Sequence, residues 1–139
     1  MSSEFVATIP LMRIFDVVKA RDFYVGFLGF SVDWQHQPDE RSPAYLQISK
    51  GHLVLHLTEH HGDCCPGSTV FVWMSGIEEF HATITSRGYG YMRPVLERTF
   101  YNSLCIEVTD PFGNRIRFNQ ELTPDDQATT GPQLFSQDN

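Results

Sequence analysis

Apolar and polar positions along this chain follow two rhythms, and the pair of rhythms is written twice. Val17, Ala20, Phe23, Tyr24, Phe27 and Leu28 recur at helical spacing, with Lys19, Arg21 and Asp22 on the opposite face. Asp16 is placed to cap this helix and Gly29 to stop it. A second helix is predicted over 77–87, with Ile77, Phe80, His81 and Ile84 on its inner stripe. Ser75-Gly76 opens it and Gly88 closes it. The two glycine stops lie about sixty residues apart, as do the two helix starts, which marks a repeated supersecondary unit.

Around the helices the rhythm changes to strand-like alternation. Residues 5–14 predict a strand interrupted by Pro10, which cannot donate a ladder hydrogen bond. A strand over 30–35 is followed by a turn cluster at 37–43. Residues 45–49 and 52–57 predict a hairpin joined at Lys50-Gly51. The second copy predicts strands over 69–74, 89–96, 104–109 and 115–120, with a loop at 97–102 and a tight turn at 110–114. Each unit thus reads as strand, helix and three strands. One such unit has an apolar sheet face that it cannot bury alone, whereas two can curl around a shared concavity. The fold class is α+β: two tandem βαβββ modules forming a curled mixed sheet around a concave cavity. One domain is expected over 1–121, with module one at 5–58 and module two at 68–121. A Pro-, Asp-, Gln- and Thr-rich tail at 122–139 is expected to be flexible.

Composition narrows the function. At 139 residues the chain holds one compact domain or two small halves sharing a core. Its formal charge of −7 argues against nucleic acid and leaves room for a cationic ligand. No apolar run is long enough to cross a bilayer, and the start lacks the pattern of a signal peptide, so a cytoplasmic protein is expected. Three cysteines, with Cys64 and Cys65 adjacent, read as free thiols and not as a disulfide framework.

Several motifs share a resemblance. The run from Ile9 through Pro10 to Asp16, then Ala20-Arg21-Asp22-Phe23-Tyr24 and Phe27-Leu28-Gly29-Phe30, resembles the first module of the vicinal oxygen chelate superfamily. That superfamily contains glyoxalase I, extradiol dioxygenases, fosfomycin-resistance transferases and bleomycin-binding resistance proteins. Thr109-Asp110-Pro111-Phe112-Gly113-Asn114-Arg115-Ile116 resembles the hairpin that closes its second module. Within the superfamily the chain is most similar to the bleomycin-binding branch. Pro10 stands at that branch's proline hinge, and the run from Phe71 to Glu79 resembles its strand-to-helix entry. Leu55-His56-Leu57-Thr58 and the connector ending Pro66-Gly67-Ser68 resemble its inter-module segment. Tyr101-Asn102 departs from the Trp-Gly usual there.

The resemblance implies a non-catalytic binder that sequesters bleomycin-family glycopeptides, or similar flat cationic small molecules, without a cofactor. It also implies a homodimer whose N-terminal strand swaps across the Pro10 hinge, with crevices lined by both subunits. The metal-ligand positions of the catalytic branches fall on Ile9, His56, Thr69 and Arg117. Only His56 is a good donor, and one imidazole does not hold a metal against solvent. His52 and His56 share a strand face but stand about 13 Å apart at about 3.3 Å per residue, too far for one ion. The expected ligand-binding residues are Trp34, His56, Phe71, Trp73, Tyr101 and Arg117. The aromatic members are suited to stacking on flat heteroaromatic rings, where the alternative role is core packing. Two other readings stay open: a metal-dependent glyoxalase-type lyase, isomerase or thiol transferase, and a binder of an unrelated metabolite.

Overall fold

The computed structural model describes residues 2–124, so all but the start of the expected flexible tail lies outside the described residues. Each half forms a four-stranded mixed sheet. The first contains β1 (Leu11–Arg13), β2 (Ser31–His36), β3 (Tyr45–Lys50) and β4 (Leu53–Thr58). The second contains β5 (Thr69–Trp73), β6 (Leu96–Arg98), β7 (Ser103–Thr109) and β8 (Arg115–Glu121). Their strand orders, β1-β4-β3-β2 and β5-β8-β7-β6, are the same pattern. In each, the first strand pairs parallel with the last and the other pairs are antiparallel. The repeat in the sequence is therefore a repeat of topology, and the two sheets do not close into a barrel.

The helices begin as the pattern predicts but differ in how. The helix α1 (Val17–Arg21) is capped by Asp16, whose Oδ1 accepts from the Lys19 N–H at 2.9 Å. It continues as a π-helical turn over Asp22–Phe27. The helix α2 (Ile77–Ser86) starts behind Gly76, which has no side chain to cap with. Gln120 Oε1 on β8 accepts from the Ile77 N–H at 2.8 Å and does that work from another element.

Both copies bury one common core. Phe23, Tyr24, Leu46 and Leu55 from the first half join Ile77, Ile84, Ile106 and Ile116 from the second in one cluster. Each such side chain contributes about 1.5–3 kcal/mol when fully buried. Polar links pin the seam. The Tyr24 hydroxyl donates to Asp110 Oδ2 at 2.7 Å, both buried. Asn114 Nδ2 donates to the Arg13 carbonyl at 2.7 Å. Arg87 Nη1 donates to the Phe27 carbonyl at 2.6 Å, where the first helical run ends. Gly29 is required there twice over. Its φ is +87°, and a Cβ would lie 2.9 Å from Arg87 Nη1.

Three expected elements differ. The strand expected over 5–14 shrinks to β1, Leu11–Arg13, and the arm before Pro10 makes no ladder. The strand expected over 89–96 is absent; Gly90 and Pro94 interrupt it, and pairing resumes only at Leu96. The expected tail starts too early, because Leu122 is 8% exposed and its N–H donates to the Asn102 carbonyl.

Candidate binding site

Both sheets turn one face toward the core and the other outward, and alternation assigns residues to each. On β2 the alternation is broken. Val32 pairs with Ile48, but Trp34 pairs with Gln47, with a bulge between them. Without that extra residue Trp34 would share Val32's face and point at the core. The bulge swings it to the outer face, where it is 43% exposed. There Trp34 stacks on Tyr45, centroids 5.8 Å apart and planes at 8°. His56 meets both rings edge-on, at 5.4 Å from Trp34 and 5.1 Å from Tyr45.

A hydrogen-bond chain fixes which nitrogen of neutral His56 carries the proton. The Asp33 carboxylate accepts from Gln47 Nε2 at 3.1 Å, which leaves the Gln47 carbonyl oxygen facing the imidazole. His56 Nε2 then donates to that oxygen at 2.9 Å, and Nδ1 accepts from the Tyr45 hydroxyl at 2.7 Å. Burial lowers the His56 pKa and raises that of Tyr45, so both favour this neutral arrangement.

The second module carries the other group. Phe71 and Trp73 lie on the outer face of β5, 47% and 56% exposed, with Val70 and Val72 turned inward. Their rings meet edge to face at 4.9 Å, and Tyr101 lies 6.3 Å from Phe71. The Tyr101 hydroxyl donates to buried Asn119 Oδ1 at 2.9 Å, which holds the ring over the sheet. Asn102 after it adopts φ 54°, the left-handed conformation that asparagine tolerates, in the place where the resemblance expects glycine. Arg117 pairs in register with Phe71, and its Nε donates to Glu107 at 2.8 Å. That bond is the first cause raising the Arg117 pKa.

The six expected residues thus fall into two groups, one per sheet. Trp34 and His56 lie on the first; Phe71, Trp73, Tyr101 and Arg117 lie on the second. Among the described residues no ring contact joins the two groups. Pro10 stands at the edge of the first, its carbonyl accepting from the His56 N–H at 3.0 Å. A cavity of about 560 Å³ lies away from both, at the start of α2. Sequence reasoning missed Tyr45, Gln47 and Glu107. Register was the available signal, since counting back across the hairpin from His56 reaches Gln47.

The residues present do not fit the metal centre of the superfamily's catalytic branches. Both nitrogens of His56 are engaged, and Arg117 brings a permanent cation paired with Glu107. Among the described residues no group of three or more His, Cys, Asp or Glu is arranged to hold an ion. His52 lies in the turn before β4 and not on its strand. Cys64, Cys65 and Cys105 are free thiols. Burial first, then Asp63, raises the Cys64 pKa, and burial pushes buried Cys105 up to about 11. Those shifts run opposite to the activation a nucleophilic thiolate needs.

The fold recurs in solved structures. A bleomycin-binding protein crystallised with bleomycin is similar at TM-score 0.66 and 20% identity, covering 84% of this chain and 99% of that one. A bleomycin resistance determinant encoded on transposon Tn5 is similar at TM-score 0.67 and 20% identity, covering 84% and 98%. TnmS3, an antibiotic-binding protein from Streptomyces sp. CB03234, is similar at TM-score 0.62 and 22% identity, covering 86% and 99%. No curated protein matches the sequence. The model of a family described as glyoxalase superfamily protein matches residues 2–125, nearly the whole chain, and the chain belongs to that family.

Proposed function

We propose that this protein is a non-catalytic binder that sequesters a flat, cationic small molecule of the bleomycin type. One observation carries the reading: Phe71 and Trp73 stand half exposed on a strand face turned away from the core, beside Tyr101. Large rings held out of an available core make stacking surfaces for a planar ligand. The formal charge of −7 favours a cation. The fold's occurrence in bleomycin- and antibiotic-binding proteins supports the ligand class. The engaged nitrogens of His56 weigh against the glyoxalase-type enzyme, which needs an open metal position.

Each outer face is an open wall, and a dimer supplies the facing wall. Phe5 and Val6 in the arm before Pro10 are 97% and 86% exposed, apolar surface suited to a partner subunit. The free thiols suit a reducing cytoplasm. Among the described residues no helix is long and apolar enough to cross a membrane.

The test is a titration with metal-free and copper-loaded bleomycin, read by tryptophan fluorescence. A saturable change at micromolar drug is expected. No response at that concentration removes the drug assignment. Deleting residues 1–9 and weighing the particle tests the arm: loss of dimer mass is expected, and an unchanged dimer rules the arm out.

A further inference from the structure

A second concavity lies on the helix side of the molecule, at the seam between the modules. Its volume is about 460 Å³, within the range of small-molecule sites. None of its lining residues belongs to either of the two aromatic groups. One wall is the segment after α2, where the expected strand is missing. Freed from a ladder, this segment presents side chains to the cavity. Tyr89 is stacked on Phe27, centroids 4.7 Å apart and planes at 25°, so its ring is held firmly. Tyr91 stands edge-on to Tyr89 at 5.4 Å and is 88% exposed. Met92 and Pro111 add apolar surface. The rings form a corner with one fixed and one solvent-facing member.

The opposite wall is charged. Asp22 begins the π-helical turn and lines the cavity; such wide turns are rare and often sit at functional sites. Asp110 lines the floor, 5% exposed. Its donors are the Tyr24 hydroxyl, the Phe112 N–H and the N–H and side-chain amide of Asn114. All four are neutral, so its negative charge is solvated but not cancelled. Lys19 is the one basic group in the lining, against two carboxylates. Burial, then Asp22, Tyr91 and Asp110, raise the Tyr89 pKa, consistent with a negative field across the ring corner.

We propose that this cavity binds a small organic cation, an amine with an apolar or aromatic body. The body packs on Tyr89 and Met92, and the cationic head sits between Asp22 and the face of Tyr91. A cation held against a ring and a carboxylate gains from both. The site is independent of the drug-binding reading, because none of the six residues assigned to that reading lines this cavity.

Titration with phenethylamine, followed by amide NMR, tests it, with 2-phenylethanol as the neutral counterpart. Saturable shifts are expected at Tyr89, Tyr91 and Met92, with 2-phenylethanol weaker by about fivefold or more. Asp22→Asn and Tyr91→Ala change exposed positions, so each is expected to weaken the amine by about threefold to tenfold with an unchanged melting temperature. Absence of saturable shifts overturns the site. Equal binding of the alcohol, indifference to both substitutions, or shifts centred on Phe71 and Trp73 overturn it as well.

Discussion

The two outer faces come from the same strand pattern, yet they are finished differently. On the first module Trp34 already lies flat on Tyr45, and His56 closes the group through hydrogen bonds on both nitrogens. Its rings satisfy one another. On the second module Phe71, Trp73 and Tyr101 meet only edge-on or tilted, which leaves ring faces uncovered. A face that stacks on itself is preorganised but partly used up. A face of tilted rings has stacking still to offer. The comparison teaches that one strand pattern supplied two equivalent walls, and side-chain choice stacked the rings of one on each other and left ring faces of the other open.

The chain has two tryptophans, and the structure places one on each face. Each can report on its own module. If the second face is the anchor, Phe71→Ala with Trp73→Ala should weaken bleomycin capture by about thirtyfold or more, two rings being lost together. That follows from about 1–3 kcal/mol per stacked ring, at 1.4 kcal/mol per tenfold. Trp34 reports in that variant. Trp34→Ala, read through Trp73, should cost less than the double change. An equal or larger loss from Trp34→Ala breaks the distinction.

The seam joining the faces is the next test. Tyr24→Phe deletes one hydroxyl and leaves Asp110 short of a buried donor. A hydrogen bond to a charged group is worth about 1.5–3 kcal/mol, and urea unfolding should register a loss of that size. Drug capture by the folded variant should be unchanged, since neither residue lies on an outer face. A loss under about 0.5 kcal/mol would mean the halves are held by the apolar core without this link.

What was legible follows from which forces act locally. Helix periodicity, the Asp16 cap, the Gly29 stop and the repeat were readable because each is set within a few residues. The strand at 89–96 was misread because apolar residues flank Gly90 and Pro94, and local pattern does not say whether a partner strand is within reach. The outward turn of Trp34 was invisible for a sharper reason. It depends on a bulge, and alternation counted without the bulge puts the ring on the wrong side. Phe71 and Trp73 share a face because β5 is regular, so alternation alone is enough to put them together. Glu107 went unnoticed because its meaning comes from Arg117 on the neighbouring strand, a pairing that needs the register of β7 against β8.

The smallest effect expected concerns pH, and it isolates the first face. Burial lowers the His56 pKa below its ordinary value of about 6.5, so the unfolded chain takes up that proton before the folded one does. Stability from neutral His56 is therefore complete above about pH 6.5 and is lost as pH falls through the lowered folded value. In a Trp73→Phe background, Trp34 alone reports, 5.4 Å from the imidazole. Its emission should change with a midpoint below about 6.5, because protonation ends the acceptor role of Nδ1 toward Tyr45. His56→Gln should flatten both the emission change and part of the stability loss on acidification. The second face has no histidine in its group, so Trp73 in a Trp34→Phe background should stay level over the same range. A midpoint at or above the ordinary histidine value, or the same titration seen from Trp73, would mean that burial does not hold His56 neutral and that the first face is as adaptable as the second.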